Sequence, residues 1–110
     1  MSDVSVYLVA DYNPKYLDGS IKSAVSRLIR NVQEENDILE SFSIQVEDEV
    51  RGLSQNSAKA VLKAEVETEL ESVKMVEKLS GELRMEISDQ SIYSITANSS
   101  SSARKYSHQY

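Results

Sequence analysis

Phe42-Ser-Ile-Gln-Val-Glu47 and Leu62-Lys-Ala-Glu-Val-Glu-Thr-Glu-Leu70 carry the decision about the fold, and each admits two readings. Residue by residue, Phe42, Ile44 and Val46 alternate with Ser43, Gln45 and Glu47. Leu62, Ala64, Val66, Thr68 and Leu70 alternate likewise with Lys63, Glu65, Glu67 and Glu69. Strict alternation marks a strand with one buried face. Taken in steps of four and three, the same residues lie on helical stripes. From Ile21 the steps reach Val25, Leu28, Val32, Glu35, Leu39, Phe42, Val46, Glu49 and Leu53, apolar except at the two Glu. From Leu62 they reach Val66, Glu69, Val73, Val76, Ser80, Leu83 and Ile87, apolar except at Glu69 and Ser80. Spacing of this kind lines one side of a helix with apolar groups that a second helix can cover.

Turn formers tip the balance toward helices. The chain has three Gly and one Pro in 110 residues, against about 12% for the two together in an average protein. Sandwiches and barrels need a turn signal every ~8–12 residues. Residues 58–79 are also rich in Ala, Leu, Glu, Lys and Met, all strong helix formers. The expectation is an all-α protein, an antiparallel two-helix hairpin with helices over about 18–51 and 57–92. Gly52 marks the tip, followed by the potential caps Ser54, Asn56 and Ser57. Asp18 or Ser20 caps the first helix, after the turn signals Asn13-Pro14 and Asp18-Gly19. Residues 4–10 are an apolar extended arm or a short strand laid on the helices. The domain is expected over 1–97, with 98–110 a polar, Ser-rich, flexible tail. In this hairpin Phe42 and Leu70 are buried in the seam, and Ile44 faces outward.

The alternation sustains an alternative, an α+β domain with strands near 3–10, 41–50, 60–72 and 82–96. A strand–helix–strand–strand order of this kind is superficially similar to the flavin-storing dodecins. Their flavin platform needs a Trp, and the chain has none.

Charge and composition narrow the chemistry. Twelve Lys and Arg against 18 Asp and Glu give a net charge of −6, the wrong sign for a direct nucleic-acid binder. Acids concentrate between Arg30 and Arg51 and again at Glu65, Glu67, Glu69 and Glu71. Such runs are solvated faces or docking surfaces for a basic partner. The absence of Cys excludes disulfides, thiolate metal sites and thiol catalysis. No apolar run reaches the roughly 18 residues that span a bilayer. No leader of basic then apolar residues opens the chain, so a cytoplasmic protein, or one secreted without a cleavable signal, is expected. His108 stands alone, and no phosphate loop, dinucleotide fingerprint or metalloprotease motif occurs. A non-enzyme without cofactor or metal is expected. All six Tyr lie outside 17–92, and a hairpin folded at 52–57 brings Tyr16 near Tyr93. There they pack the arm or form a docking surface.

The hairpin with a Gly at its tip resembles the small WXG-type proteins that accompany the LXG toxins of type VII secretion. Val50-Arg51-Gly52 stands where that family has Trp-x-Gly, and residues 18–92 carry the resemblance. The family's Tyr-x-x-x-Asp/Glu export pattern occurs at Tyr7–Asp11. The resemblance implies a secreted partner or targeting factor. Function is therefore expected to be binding of another helical chain, as a homo- or hetero-oligomer, through Ile29, Ile44, Val50, Gly52 and Tyr93. Two alternatives stand beside it. One is an acidic virus- or phage-type protein that blocks a basic nucleic-acid-binding surface, and the other an α+β ligand-binding oligomer.

Overall fold

Six elements follow one another in the computed structural model, which describes residues 2–52, 56–87 and 91–99. They are strand β1 (Ser2–Tyr12), helix α1 (Ile21–Asn36), strands β2 (Ser41–Arg51) and β3 (Ala58–Thr68), helix α2 (Ser72–Glu86) and strand β4 (Ile92–Asn98). The strands form one sheet in the order β2-β3-β1-β4, each neighbour antiparallel. Two β-α-β units thus interlock, each leaving a gap that a strand of the other fills. This is the ferredoxin-like arrangement.

The all-α hairpin is therefore incorrect, and the α+β alternative describes the protein. The reason is a coincidence of periods. Positions 42 and 46, or 62 and 66, are four apart, which is close to one helical turn and also two strand repeats. Intervening residues separate the cases. Ile44 and Ala64 would lie about 200° around a helix from Phe42 and Leu62, yet both are buried. Ala60, Leu62, Ala64 and Val66 are all 0% exposed, a period of two. Ile44 thus faces inward with Phe42, which is half-buried against the core, as is Leu70. The high helix propensity of 58–68 is overridden because β3 is an interior strand, where small Ala side chains fit beneath other groups.

The resemblance to WXG-type proteins falls with the hairpin. Val50-Arg51-Gly52 ends an edge strand, and the Tyr7–Asp11 pattern lies inside β1. The strand boundaries of the alternative also need correction. It placed strands at 60–72 and 82–96, whereas α2 runs from Ser72 to Glu86 and β4 starts at Ile92.

Local signals account for α1. Gly19, at φ 87°, makes a turn that other residues rarely adopt. Ser20 then caps the helix, its Oγ accepting from the Ser23 N–H at 3.1 Å. Asp37 ends it in the left-handed conformation, donating its N–H to the Gln33 carbonyl. One face of α1, Ile21, Ala24, Val25, Ile29 and Val32, packs with Met75, Leu79 and Leu83 of α2 over one side of the sheet. Val4, Val6, Leu8, Ala10 and Tyr12 of β1 face that layer. Among the described residues no helix lies on the opposite side of the sheet. No helix among the described residues is long and apolar enough to cross a membrane. The tip residues 53–55 and the tail from 100 onward, including Arg104, Lys105, Tyr106, His108 and Tyr110, lie outside the described residues. Asn98, assigned by sequence to the tail, is the last residue of β4.

Candidate functional site

Strand alternation dictates what the helix-free face presents. Its centre is apolar: Val9 of β1 and Val61 of β3, 8% and 0% exposed, pack with Tyr7. Long polar side chains cover them. Lys63 places its Nζ 5.9 Å from the centre of the Tyr7 ring and 3.2 Å from Glu65. Glu65 also accepts from the Ser5 hydroxyl at 2.7 Å. These contacts, the Ser5 hydrogen bond foremost, hold the Glu65 carboxyl below its ordinary value, and Glu65 in turn raises that of Lys63.

Toward the β2–β3 hairpin the register aligns Val50, Lys59, Asp11 and Ser94 across all four strands. Asp11 is tied on both sides. Lys59 Nζ lies 3.8 Å from its Oδ1, and the Ser94 hydroxyl donates to its Oδ2 at 3.1 Å. Beside this row opens a groove of about 510 Å³ lined by Asp11, Val50, Arg51, Gly52, Ser57 and Lys59. Gly52 closes its lip by donating its N–H to the Ser57 carbonyl at 2.9 Å. A Cβ on Gly52 would sit 3.0 Å from Ser57 Oγ, so the two segments approach this closely because no side chain intervenes. Arg51 forms no ion pair with another described residue. Tyr93 of β4 stands near the hairpin. The β1–β4 register slips between Asp11 and Tyr12, leaving Tyr93 as the extra residue. Its phenol, 55% exposed, donates to the Asn56 carbonyl at 2.9 Å and so braces the hairpin.

On the helix-covered face just behind, Tyr12 is 1% exposed. Its hydroxyl donates to Glu49 Oε2 at 2.5 Å. Since β3 lies between β1 and β2, the ring has to cross it, and Ala58 and Ala60 leave the room. Burial first, then the Glu49 carboxylate, pushes the Tyr12 phenol well above its ordinary value. A second hollow, of about 430 Å³, lies between the helices and sets Arg27, Arg30 and Asn31 beside Glu86. Glu86 also shares a hydrogen bond with Glu35 and raises the Glu35 pKa.

Of the residues assigned by sequence to partner binding, Val50 and Gly52 line the groove, and Tyr93 reaches the same hairpin through its hydrogen bond to the Asn56 carbonyl. Ile29 and Ile44 do not. They are 0% and 6% exposed and belong to the core, so the apolar surface expected to receive a helical chain is already covered. Tyr16, 68% exposed, stands in the β1–α1 connection. Asp11, Arg51 and Lys59 carry no site motif in the sequence, because a lone charge at a strand end has none. Asp11, closing the apolar run of β1, was the available signal. Among the described residues no cluster of His, Asp and Glu is arranged to hold a metal ion.

No family model matches the chain. No curated protein is significantly similar to it. Among solved structures it is similar to the solution structure of the C-terminal domain of the MgtC protein from Mycobacterium tuberculosis, at 15% identity and a TM-score of 0.43. That match covers 90% of this chain and 89% of the other. Similarity at this level carries no argument about either fold or function.

Proposed function

We propose that the protein is a non-catalytic α+β module, working as an oligomer, that binds a small molecule carrying one anionic group on an apolar body. The observation that supports this is the groove at the hairpin end of the sheet. The groove is lined by Val50, Gly52 and Ala58 together with Arg51, which has no ion-pair partner among the described residues and whose charge also reaches the Tyr12 phenol on the helix-covered face. A guanidinium recognises a carboxylate or phosphate in bidentate fashion. Binding rather than catalysis is favoured because the carboxylate of the groove, Asp11, is engaged by Lys59 and Ser94 in joining strands. Concave, mostly apolar sites with a few convergent polar groups are the usual form of ligand pockets.

The test is thermal stability against a panel of small aliphatic and aromatic carboxylates, each paired with its neutral amide. A true ligand at about 100 times its Kd adds about 2.7 kcal/mol to stability. The reading expects carboxylates to raise the melting temperature where their amides do not, and Arg51→Ala to remove the difference. Equal effects of acid and amide across the panel, or no effect of either, would refute it.

A further inference from the structure

We infer that the outer edge of β4 is the surface through which two copies of this chain join, antiparallel about Ile95, into one continuous eight-stranded sheet. The inference deepens the oligomeric part of the function proposed above and rests on it. Among the described residues both edge strands, β2 and β4, expose main-chain donors and acceptors on their outer sides. They differ in how they are defended. β2 carries a register shift between Val46 and Asp48, and Glu47, Asp48 and Glu49 run through that irregularity. Bulges and charges are the devices that block edge pairing. β4, Ile-Tyr-Ser-Ile-Thr-Ala-Asn from 92 to 98, contains no charged residue at all.

That neutrality selects the occupant. Each copy bears a net charge of −6, so two copies repel unless their seam is free of acids. The antiparallel register about Ile95 sets Ile95 against its own counterpart on the helix side. On the helix-free side it sets Ser94 against Thr96 of the other copy, twice by symmetry. Hydroxyl pairs of this kind are favourable cross-strand neighbours, about 4.5–5.5 Å apart at Cβ. A hollow of about 290 Å³ lies between this strand and α2, so the β4 edge is not packed tightly under the helix. It is lined by Ser80, Arg84, Ile87 and the Tyr93–Thr96 stretch. The contact is isologous and therefore closes at two copies.

The experiment is sedimentation of the full chain over a concentration series, in low and high salt. The expected result is a mass twice 12.3 kDa that persists or tightens with salt, since screening relieves repulsion between like-charged copies. Thr96→Glu should weaken association at least tenfold while the far-ultraviolet spectrum stays unchanged. Gln45→Glu, on the β2 edge, should leave it intact. Should Thr96→Glu disturb folding, crosslinking supplies the same information in a chain that has no other Cys. An equimolar mixture of the Ser94→Cys and Thr96→Cys variants should form disulfide dimers faster than either variant alone. A monomer throughout the series, dissociation by Gln45→Glu in place of Thr96→Glu, or no advantage for the mixture would each overturn the inference. The ligand panel on the same samples separates the two claims. Loss of the dimer interface with ligand stabilisation retained refutes the seam alone, and the converse refutes the groove alone.

Discussion

Tyr12→Phe removes one oxygen from a residue that is 1% exposed and leaves its ring in place. The lost interaction is the hydrogen bond to Glu49, which spans the width of β3 to reach the edge strand. A hydrogen bond to a charged acceptor contributes about 1.5–3 kcal/mol. Glu49 is exposed, so water replaces the phenol and no orphaned acceptor remains, which places the cost near the lower bound, about 1.5 kcal/mol. For a domain of this size that lowers the melting temperature by about 6–9 °C. Alkali supplies a second signature. The folded-state pKa of Tyr12 is raised, whereas an unfolded tyrosine ionises near pH 10. The stability this provides is complete below about pH 10 and is lost as pH climbs from there toward the folded value. Tyr12→Phe lacks that component, so the wild-type advantage should shrink above about pH 10. Urea denaturation of both proteins at about pH 8 and pH 11 measures both effects. A difference under about 0.5 kcal/mol at pH 8, or one that does not narrow by pH 11, would show that the phenol does not bridge the strands.

Ile44→Ala should cost about 2–4 kcal/mol as a core deletion, and Val46→Ala, at a position 38% exposed, less than about 1 kcal/mol; chemical denaturation that ranks them the other way contradicts the sheet register. Ala60→Leu should destabilise by about 1–3 kcal/mol through overpacking against the Tyr12 ring, and combining it with Tyr12→Ala should recover part of the loss. Glu35, beside Glu86, has a raised folded-state pKa, so its stabilising contribution is present below its ordinary value and is lost as pH rises through the folded one. Glu35→Gln should therefore raise the melting temperature near pH 7 and have little effect near pH 3, and calorimetry at the two values checks the sign.

The start of α1 could be read from sequence because Ser20 acts through its immediate neighbours, and the turn before it needed the positive φ of Gly19. The alternation in 42–46 and 62–70 was equally visible but degenerate with a helical stripe, since a spacing of four satisfies both periods. Only pairing breaks the tie, and of the two strands that flank β3 one, β1, lies more than forty residues away. α2 was harder for the opposite reason. Its alternating Leu83, Met85 and Ile87 suggest a strand, yet Met85 is 79% exposed while Leu83 is fully buried. The groove had no local signature. Asp11, Arg51 and Lys59 are unremarkable singly, and the sheet alone makes them neighbours. Val50, Gly52 and Tyr93 stand out in the sequence only for a turn and an aromatic cluster that belong to a different fold.

The placement of β1 between β3 and β4 has a consequence for the order of events in synthesis. Ser2 pairs with Thr68, and Leu8 with Ala97. The strand that occupies the middle of the sheet is thus made first and acquires both neighbours last. At ~5–20 residues per second on the ribosome, it stays unpaired for seconds while later elements emerge. Such distant pairings put folding on the slow side for a small domain. During that interval Val4, Val6 and Leu8 are an apolar segment in search of an edge, and a chain halted before β4 leaves one side of β1 bare. Nascent or truncated chains, rather than the finished fold, are therefore where a holding chaperone would be required.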